Sequence, residues 1–190
     1  MNRDRIRSSV DRHTPSAGSA KTPFEGVEFF RVVAPFERMP GIYAPSVCAI
    51  VAGEKVVHIE DSIHALNEDR YICATLPTPV LADVPTASPE SPLLGVVIQL
   101  HTTMMSRLVL ETQVAYGTLP ASDGPRRGFD TAVRDGGFDV ALANLLELLD
   151  DPPAAQVLGV GRLREVLFAI LRGEAGDRLR SDFGGAPALA

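Results

Sequence analysis

Between Val27 and Leu100, short apolar runs alternate with clusters of turn residues. Runs rich in Val, Ile, Leu and aromatic residues, bounded by Pro, Gly, Asn and Asp, are typical of strands. About seven such strands follow one another without an intervening helical pattern, which favours an antiparallel sandwich or barrel. The predicted strands are VEFFRVV, SVCAIVA, KVVHI, SIHAL, RYICATL, PVLADV and LLGVVIQL.

After Leu100 the apolar residues recur at helical spacing. Thr102 and Thr103 can cap a first helix, and 119–137, rich in Gly, Pro, Ser and Asp, is predicted to be a linker with partial order. Two further apolar faces lie on either side of Asp150–Pro153, so they should pair as a helical hairpin over roughly 139–149 and 161–172. The first face is Phe138, Leu142, Leu145, Leu146 and Leu149, and the second is Leu163, Val166, Leu167, Ile170 and Leu171.

Residues 1–22 are rich in Arg, Ser and Asp and show no hydrophobic periodicity. Such a segment buries too little apolar surface to offset the entropy of ordering it. We therefore expect a flexible N-terminal arm.

The composition narrows the class of protein. A chain of 190 residues suggests one domain, and the net charge of −6 with a pI near 5.2 argues against a nucleic-acid-binding surface. No apolar run reaches the roughly 18 residues of a membrane span, so a cytoplasmic protein without a membrane partner is expected. Cys48 and Cys73 each lie in an apolar run and are interpreted as core residues, although a disulfide stays open if their strands are neighbours.

Three stretches carry a family resemblance: Pro45–Val80, LLELLDDPPAAQVL, and Leu163–Ser181. Together they resemble the N-terminal domain of AraC-type transcriptional regulators, over about Thr22 to Arg180. In that family a run like REVLFAILRGEAGDRLR is followed by a helix-turn-helix DNA-binding domain, and this sequence ends where that domain would start. The resemblance thus implies the sensing and dimerising half of a regulator. One departure is His101, which stands where an acidic residue after the strand is usual.

The resemblance implies a fold and a set of boundaries. The expected fold class is α+β, mainly β, with a cupin-like antiparallel jelly-roll barrel followed by C-terminal helices that form a hairpin. The expected regions are the arm (1–22), the barrel (23–101), a helical dimerisation region of the same domain (102–180), and a tail or start of a linker (181–190).

A cupin-like barrel raises the question of a metal, since metal-binding cupins carry a His-x-His pair, a Glu and a later His. Here the candidates are His58, Glu60, His64 and His101, without a His-x-His pair. Successive strand residues point to opposite faces, and Val57 belongs to the apolar face. His58, Glu60 and also His64 are therefore expected on the polar face of the sheet, provided that the turn at 60–62 has three residues. We therefore predict no metal and no cofactor. No catalytic motif is present either, so an enzyme is not expected.

Two sets of binding residues are predicted. For the ligand, polar or amphipathic residues near strand ends are candidates, namely Tyr43, Arg70, Tyr71 and Gln99. For a homodimer, the closely spaced leucines of the two helices exceed the width of a one-sided apolar face. The candidate interface residues are Leu142, Leu145, Leu146, Leu149, Leu163, Leu167 and Ile170.

The leading hypothesis is a non-catalytic effector-binding and dimerisation domain of an AraC-type regulator. It would bind an unidentified small molecule, and would contact DNA only through a helix-turn-helix domain that lies outside this sequence. The alternatives are a cupin-type metal-dependent enzyme and a stand-alone module that dimerises with full-length regulators and blocks them.

Overall fold

The fold rests on two antiparallel sheets. A computed structural model describes residues 1–117 and 128–184, and within them a six-stranded sheet has the order β1-β2-β9-β4-β7-β10 and a four-stranded sheet the order β3-β8-β5-β6. The strands are β1 Gly18–Lys21, β2 Val27–Val32, β3 Phe36–Tyr43, β4 Ser46–Ala52, β5 Lys55–Ile59, β6 Ser62–Leu66, β7 Arg70–Ala74, β8 Thr78–Val84, β9 Leu93–Gln99 and β10 Phe129–Val133.

Helices cover the face of the six-stranded sheet that the four-stranded sheet leaves open. Asp135 and Asp151 cap two of them, accepting hydrogen bonds from the backbone N–H of Phe138 and Ala154 at 2.8 and 3.1 Å. None of the described helices is long and apolar enough to cross a membrane. The helices are α1 Asn2–His13, α2 Thr102–Tyr116, α3 Gly136–Glu147, α4 Pro152–Arg172 and α5 Gly176–Phe183, with a 3-10 turn at Leu148–Asp150.

The six-stranded sheet therefore separates two apolar cores. In β4, Cys48 and Ile50 face the four-stranded sheet, whereas Val47, Ala49 and Val51 face the helices. Because both faces of β4 are covered, all of its residues are buried. The predicted fold class, antiparallel sheets followed by helices, is confirmed, and α3 and α4 pack together as the predicted hairpin.

The prediction of a flexible arm at 1–22 is wrong in this structure. Residues 2–13 form α1, and β1 pairs with β2. Two apolar residues one turn apart, Ile6 and Val10, are completely buried against α3, β4 and β9, so a short apolar face suffices where the sheet supplies the rest of the contact. Ion pairs of Arg3 with Asp139, Arg5 with Glu147 and Arg12 with Asp150 tie α1 to the helical layer.

Regular elements lie in the described parts of the predicted linker at 119–137 and of the predicted tail at 181–190. Strand β10 pairs with β7 along its whole length, and α5 continues to Phe183, whose side chain is buried. Residues 118–127 and 185–190 lie outside the described part of the chain. β1 and β10 thus extend the six-stranded sheet beyond the predicted barrel at 23–101.

Candidate functional site

A cavity of about 230 Å³ lies on the face of the four-stranded sheet that is turned toward the six-stranded sheet, and β3, β8 and β5 supply its lining. Apart from one lysine and one tyrosine, its lining side chains are apolar. The lining residues are Phe36, Met39, Pro40, Gly41, Ile42, Tyr43, Lys55, Val80 and Ala82. An apolar cavity with a small number of polar groups is the usual form of a small-molecule site.

Lys55 supplies the charge in this cavity. Its ammonium Nζ donates a hydrogen bond to the Tyr43 hydroxyl at 3.0 Å and lies 5.4 Å from the centre of the Tyr43 ring and 5.9 Å from that of Phe30. Among the described residues, no carboxylate forms an ion pair with Lys55 within 4.0 Å. An ammonium group has three donors, so after the bond to Tyr43 it can still bind an anion.

The neighbouring ionisable groups are neutral at physiological pH. Burial raises the pKa of the Tyr43 hydroxyl well above its ordinary value, and the nearby Cys48 thiol adds to that rise. Burial also raises the pKa of the Cys48 thiol, and the charge of Lys55 only partly opposes this effect. The cavity therefore presents one cation beside a neutral hydroxyl.

The position of the Phe30 ring depends on Gly95, its cross-strand neighbour on β9. A Cβ atom on residue 95 would overlap the Phe30 ring, so glycine is the residue that lets the ring lie across the strand. This contact fixes the aromatic face that lies beside the Lys55 ammonium.

The structure separates the four residues predicted to bind ligand. Tyr43 lines the cavity, but Arg70 lies outside its lining and donates to the Thr131 hydroxyl at 3.3 Å. Gln99 is exposed at the end of β9. Tyr71 belongs to the helix-facing core and stacks on Phe138 with ring centres 5.1 Å apart, so its placement in the ligand set is corrected.

The residue that the sequence reasoning missed is Lys55. It is one of two lysines in the chain and shares the strand face of Val57 and Ile59, which pack toward the space between the sheets. The spacing of two residues between Lys55, Val57 and Ile59 was the pattern that indicated an inward-facing lysine.

The leucines predicted to form a dimer interface lie inside the chain's own core. All are buried except Leu149, which is partly buried and packs against the same core. A helix placed between a sheet and other helices buries more than one face within its own chain, which explains the leucine excess without a partner. The exposed apolar residues of α4 are instead Val157, Leu158 and Val160.

His58 lies on the predicted face of the sheet, whereas His64 does not. The β5–β6 connection has two residues rather than three, because Ile59 pairs with Ser62, and His64 therefore pairs with Val57. This shift places His64 on the inner face, 5.1 Å from the Phe129 ring centre, while His58 lies on the outer face. The two rings thus point to opposite sides of one sheet, and the described residues contain no group of three or more His, Cys, Asp or Glu side chains that could hold a metal.

The two cysteines are free and buried. Their strands β4 and β7 are neighbours, with Val47 paired to Cys73 and Cys48 paired to Ile72. Cys48 and Cys73 therefore face opposite sides of the sheet, a geometry that excludes the disulfide between them.

Solved structures with a similar fold include regulators. A ligand-free single-substitution variant of ToxT from Vibrio cholerae strain SCE256 superposes with a TM-score of 0.56 at 8% identity, covering 86% of this chain and 60% of that one. ToxT of the same strain bound to an unsaturated fatty acid gives 0.50 at 5% identity, covering 80% and 55%. The AraC-like transcriptional activator CuxR gives 0.46 at 10% identity, covering 87% and 64%.

The chain thus spans about 60% of the length of the ToxT chain that it matches. A search of curated proteins finds no match. The family described as AraC-type transcriptional regulator N-terminus matches residues 23–178, which include strands β2 to β10 and helices α2 to α4. The chain therefore belongs to the family of AraC-type transcriptional regulator N-terminal domains.

Proposed function

We propose that this domain senses a small molecule, that the molecule binds in the cavity between the two sheets, and that it carries a carboxylate which pairs with Lys55. The observation that carries the proposal is the Lys55 ammonium, which lies at an apolar cavity with a tyrosine hydroxyl as its hydrogen-bond acceptor. A related fold, that of ToxT, has been solved with an unsaturated fatty acid bound.

The physical argument concerns charge and volume. An ion pair between Lys55 and a carboxylate gains strength in the low dielectric of the cavity, and the apolar walls favour a ligand with a hydrophobic body. The volume of about 230 Å³ lies below the usual range of roughly 300–1,000 Å³ for drug-sized ligands. We therefore propose a short aliphatic chain or a single ring rather than a long lipid.

The proposed mechanism is regulatory and non-catalytic. A ligand that binds one conformation of the domain more tightly shifts the population toward that conformation. Strand β4 connects the cavity side to the helices, because the Ile50 carbonyl accepts a hydrogen bond from Arg134 Nη1 at 2.8 Å and Arg134 pairs with Asp139 of α3. In a full regulator this shift would change the placement of the DNA-binding domains.

Octanoate and octan-1-ol, which share their chain length and differ in charge, test the carboxylate. Isothermal titration calorimetry should detect octanoate binding to the native chain and to Lys21→Met, a control at the exposed second lysine. The Lys55→Met variant should lose octanoate binding while its affinity for octan-1-ol is unchanged or increased. Octanoate binding by Lys55→Met at native affinity would place the carboxylate elsewhere.

We also propose that the domain forms a homodimer through the outer face of α4. Val157 and Val160 are 80% and 72% exposed, and Gly161 beside them lets another helix approach closely. A two-fold axis would bury this face against its own copy.

Sedimentation velocity tests the dimer. The double variant Val157→Glu, Val160→Glu should be a folded monomer, whereas Ile63→Glu, an equally exposed site on the four-stranded sheet, should leave the dimer intact. A native chain that is monomeric at tens of micromolar would contradict this proposal.

A further inference from the structure

The outer face of the four-stranded sheet carries a groove that is lined by His58 and not by Lys55, and that shares Pro40, Gly41, Ile42 and Val80 with the cavity on the inner face. Cross-strand pairing places Pro40, Leu81, His58 and Ile63 in one row across all four strands. The groove has a volume of about 780 Å³, within the roughly 300–1,000 Å³ usual for small-molecule sites.

Exposed aliphatic side chains form part of the wall of this groove. Ile42 and Ile63 are 74% and 69% exposed, and Leu81 between them is 36% exposed. Alternating strands that are covered on one face normally carry polar residues on the other, so three exposed aliphatic side chains around one groove indicate a binding surface.

One polar side chain is oriented within the groove. His58 Nε2 lies 2.6 Å from Asp83 Oδ2, and the other Asp83 oxygen accepts the backbone N–H of Arg38 at 2.5 Å. The hydrogen bond from the Arg38 backbone and that from His58 lower the pKa of the Asp83 carboxyl, so Asp83 is ionised and accepts. Nε2 of His58 must then carry a proton, and in the neutral form of the ring Nδ1 is an acceptor.

Nδ1 of His58 has no hydrogen-bond partner among the described residues. The His58 side chain is only 18% exposed, and its tautomer is fixed by Asp83. A ligand with a hydroxyl or N–H donor would satisfy this nitrogen while its apolar body contacts Leu81 and Ile63. A net charge on the ligand is not favoured, since Arg38 and the pair Glu60–Asp61 also line the groove.

We propose that the outer face of the four-stranded sheet binds a second, uncharged small molecule, an aromatic compound with a hydroxyl group that donates to His58 Nδ1. This site has its own polar group, His58 on the outer face, whereas the proposed carboxylate site uses Lys55 on the inner face. It gives the domain a second input of different chemistry.

The test compares 2-naphthol with 2-methoxynaphthalene, which lacks the donor, by the fluorescence of the probes themselves. The native chain should bind 2-naphthol several-fold more tightly, up to about tenfold, as expected for one hydrogen bond. The His58→Phe variant should bind the two probes equally. The Leu81→Arg variant, folded by circular dichroism, should bind neither.

Two control variants separate this site from the rest of the molecule. Leu110→Arg, at an exposed leucine of α2, and Lys55→Met should both bind 2-naphthol as the native chain does. Loss of 2-naphthol binding in Lys55→Met would assign the probe to the inter-sheet cavity and overturn the proposal. Three other results would also overturn it. These are native 2-naphthol affinity in Leu81→Arg, a retained preference for the hydroxyl probe in His58→Phe, and a changed sedimentation coefficient in Leu81→Arg. The last result would mark the face as a contact between copies.

Discussion

The substitution Asp139→Ala leaves the Arg134 guanidinium buried without its carboxylate partner. The Arg134 side chain is 1% exposed, and its Nε and Nη2 donate to Asp139 Oδ1 at 3.0 and 2.6 Å. A third bond, from Nη1 to the Ile50 carbonyl, holds the guanidinium in place, so it cannot move to water without breaking the contact with β4. Removing one partner of a buried ion pair costs about 3–5 kcal/mol of unfolding free energy.

Urea denaturation followed by far-ultraviolet circular dichroism measures this cost, provided that the m-value is unchanged. For a domain of this size the loss corresponds to a fall in Tm of about 6–20 °C. Arg134→Met should cost less, because Asp139 keeps a 2.9 Å bond from Arg3 Nε. The matched control is Asp150→Ala, which breaks an exposed pair with Arg12 and should cost below about 1 kcal/mol. Equal losses in Asp139→Ala and Asp150→Ala would refute the argument.

Two further substitutions test the inner face of the barrel. Gly95→Ala should displace the Phe30 ring, which should reduce the free energy of unfolding by about 1–3 kcal/mol and weaken octanoate binding. Urea denaturation measures the first effect and calorimetry the second. Unchanged values would show that the ring relaxes freely. Burial lowers the pKa of His64, so the unfolded chain takes up more protons as the pH falls below about 6.5 and acid destabilises the fold. His64→Phe should reduce the loss of stability between pH 7 and pH 5, and the same pH dependence in both proteins would exclude His64 as its source.

Strands β2 and β4 to β9 followed from the sequence because β-branched residues and turn residues alternate clearly there, whereas β1, β3 and β10 were not predicted. What the alternation could not determine was the length of the turn after Ile59, and one residue fewer in that turn moved His64 from the outer face to the inner face. Because successive side chains of a strand point to opposite faces of the sheet, a turn that is one residue shorter reverses the face of every residue in the strand that follows.

The cavity was predictable only in part. Tyr43 was chosen as a residue near a strand end, and it does line the cavity. Lys55 was overlooked although its register with Val57 was available, because lysine at the start of a strand is usually solvated. Tyr71 was misplaced because β7 is buried on both faces, and composition alone cannot tell which core a side chain enters.

Helix α1 and the leucines of α3 and α4 show the same limitation in the helical layer. Ile6 and Val10 are too few to predict a stable helix by periodicity, and their burial depends on the surface that β4 and β9 provide. Leu142 and Leu163 suggested a partner because a sequence does not reveal how many faces of a helix its own fold covers.

The position of the six-stranded sheet between two cores has an evolutionary consequence. Adjacent residues of β4 meet different packing constraints: Cys48 and Ile50 belong to the core between the sheets, while Val47 and Ala49 pack with the helices. Substitutions at alternate positions can therefore change the core between the sheets without disturbing the helical layer. We expect homologues to covary in two separate sets along this one strand, which would let specificity diverge while the regulatory output is preserved.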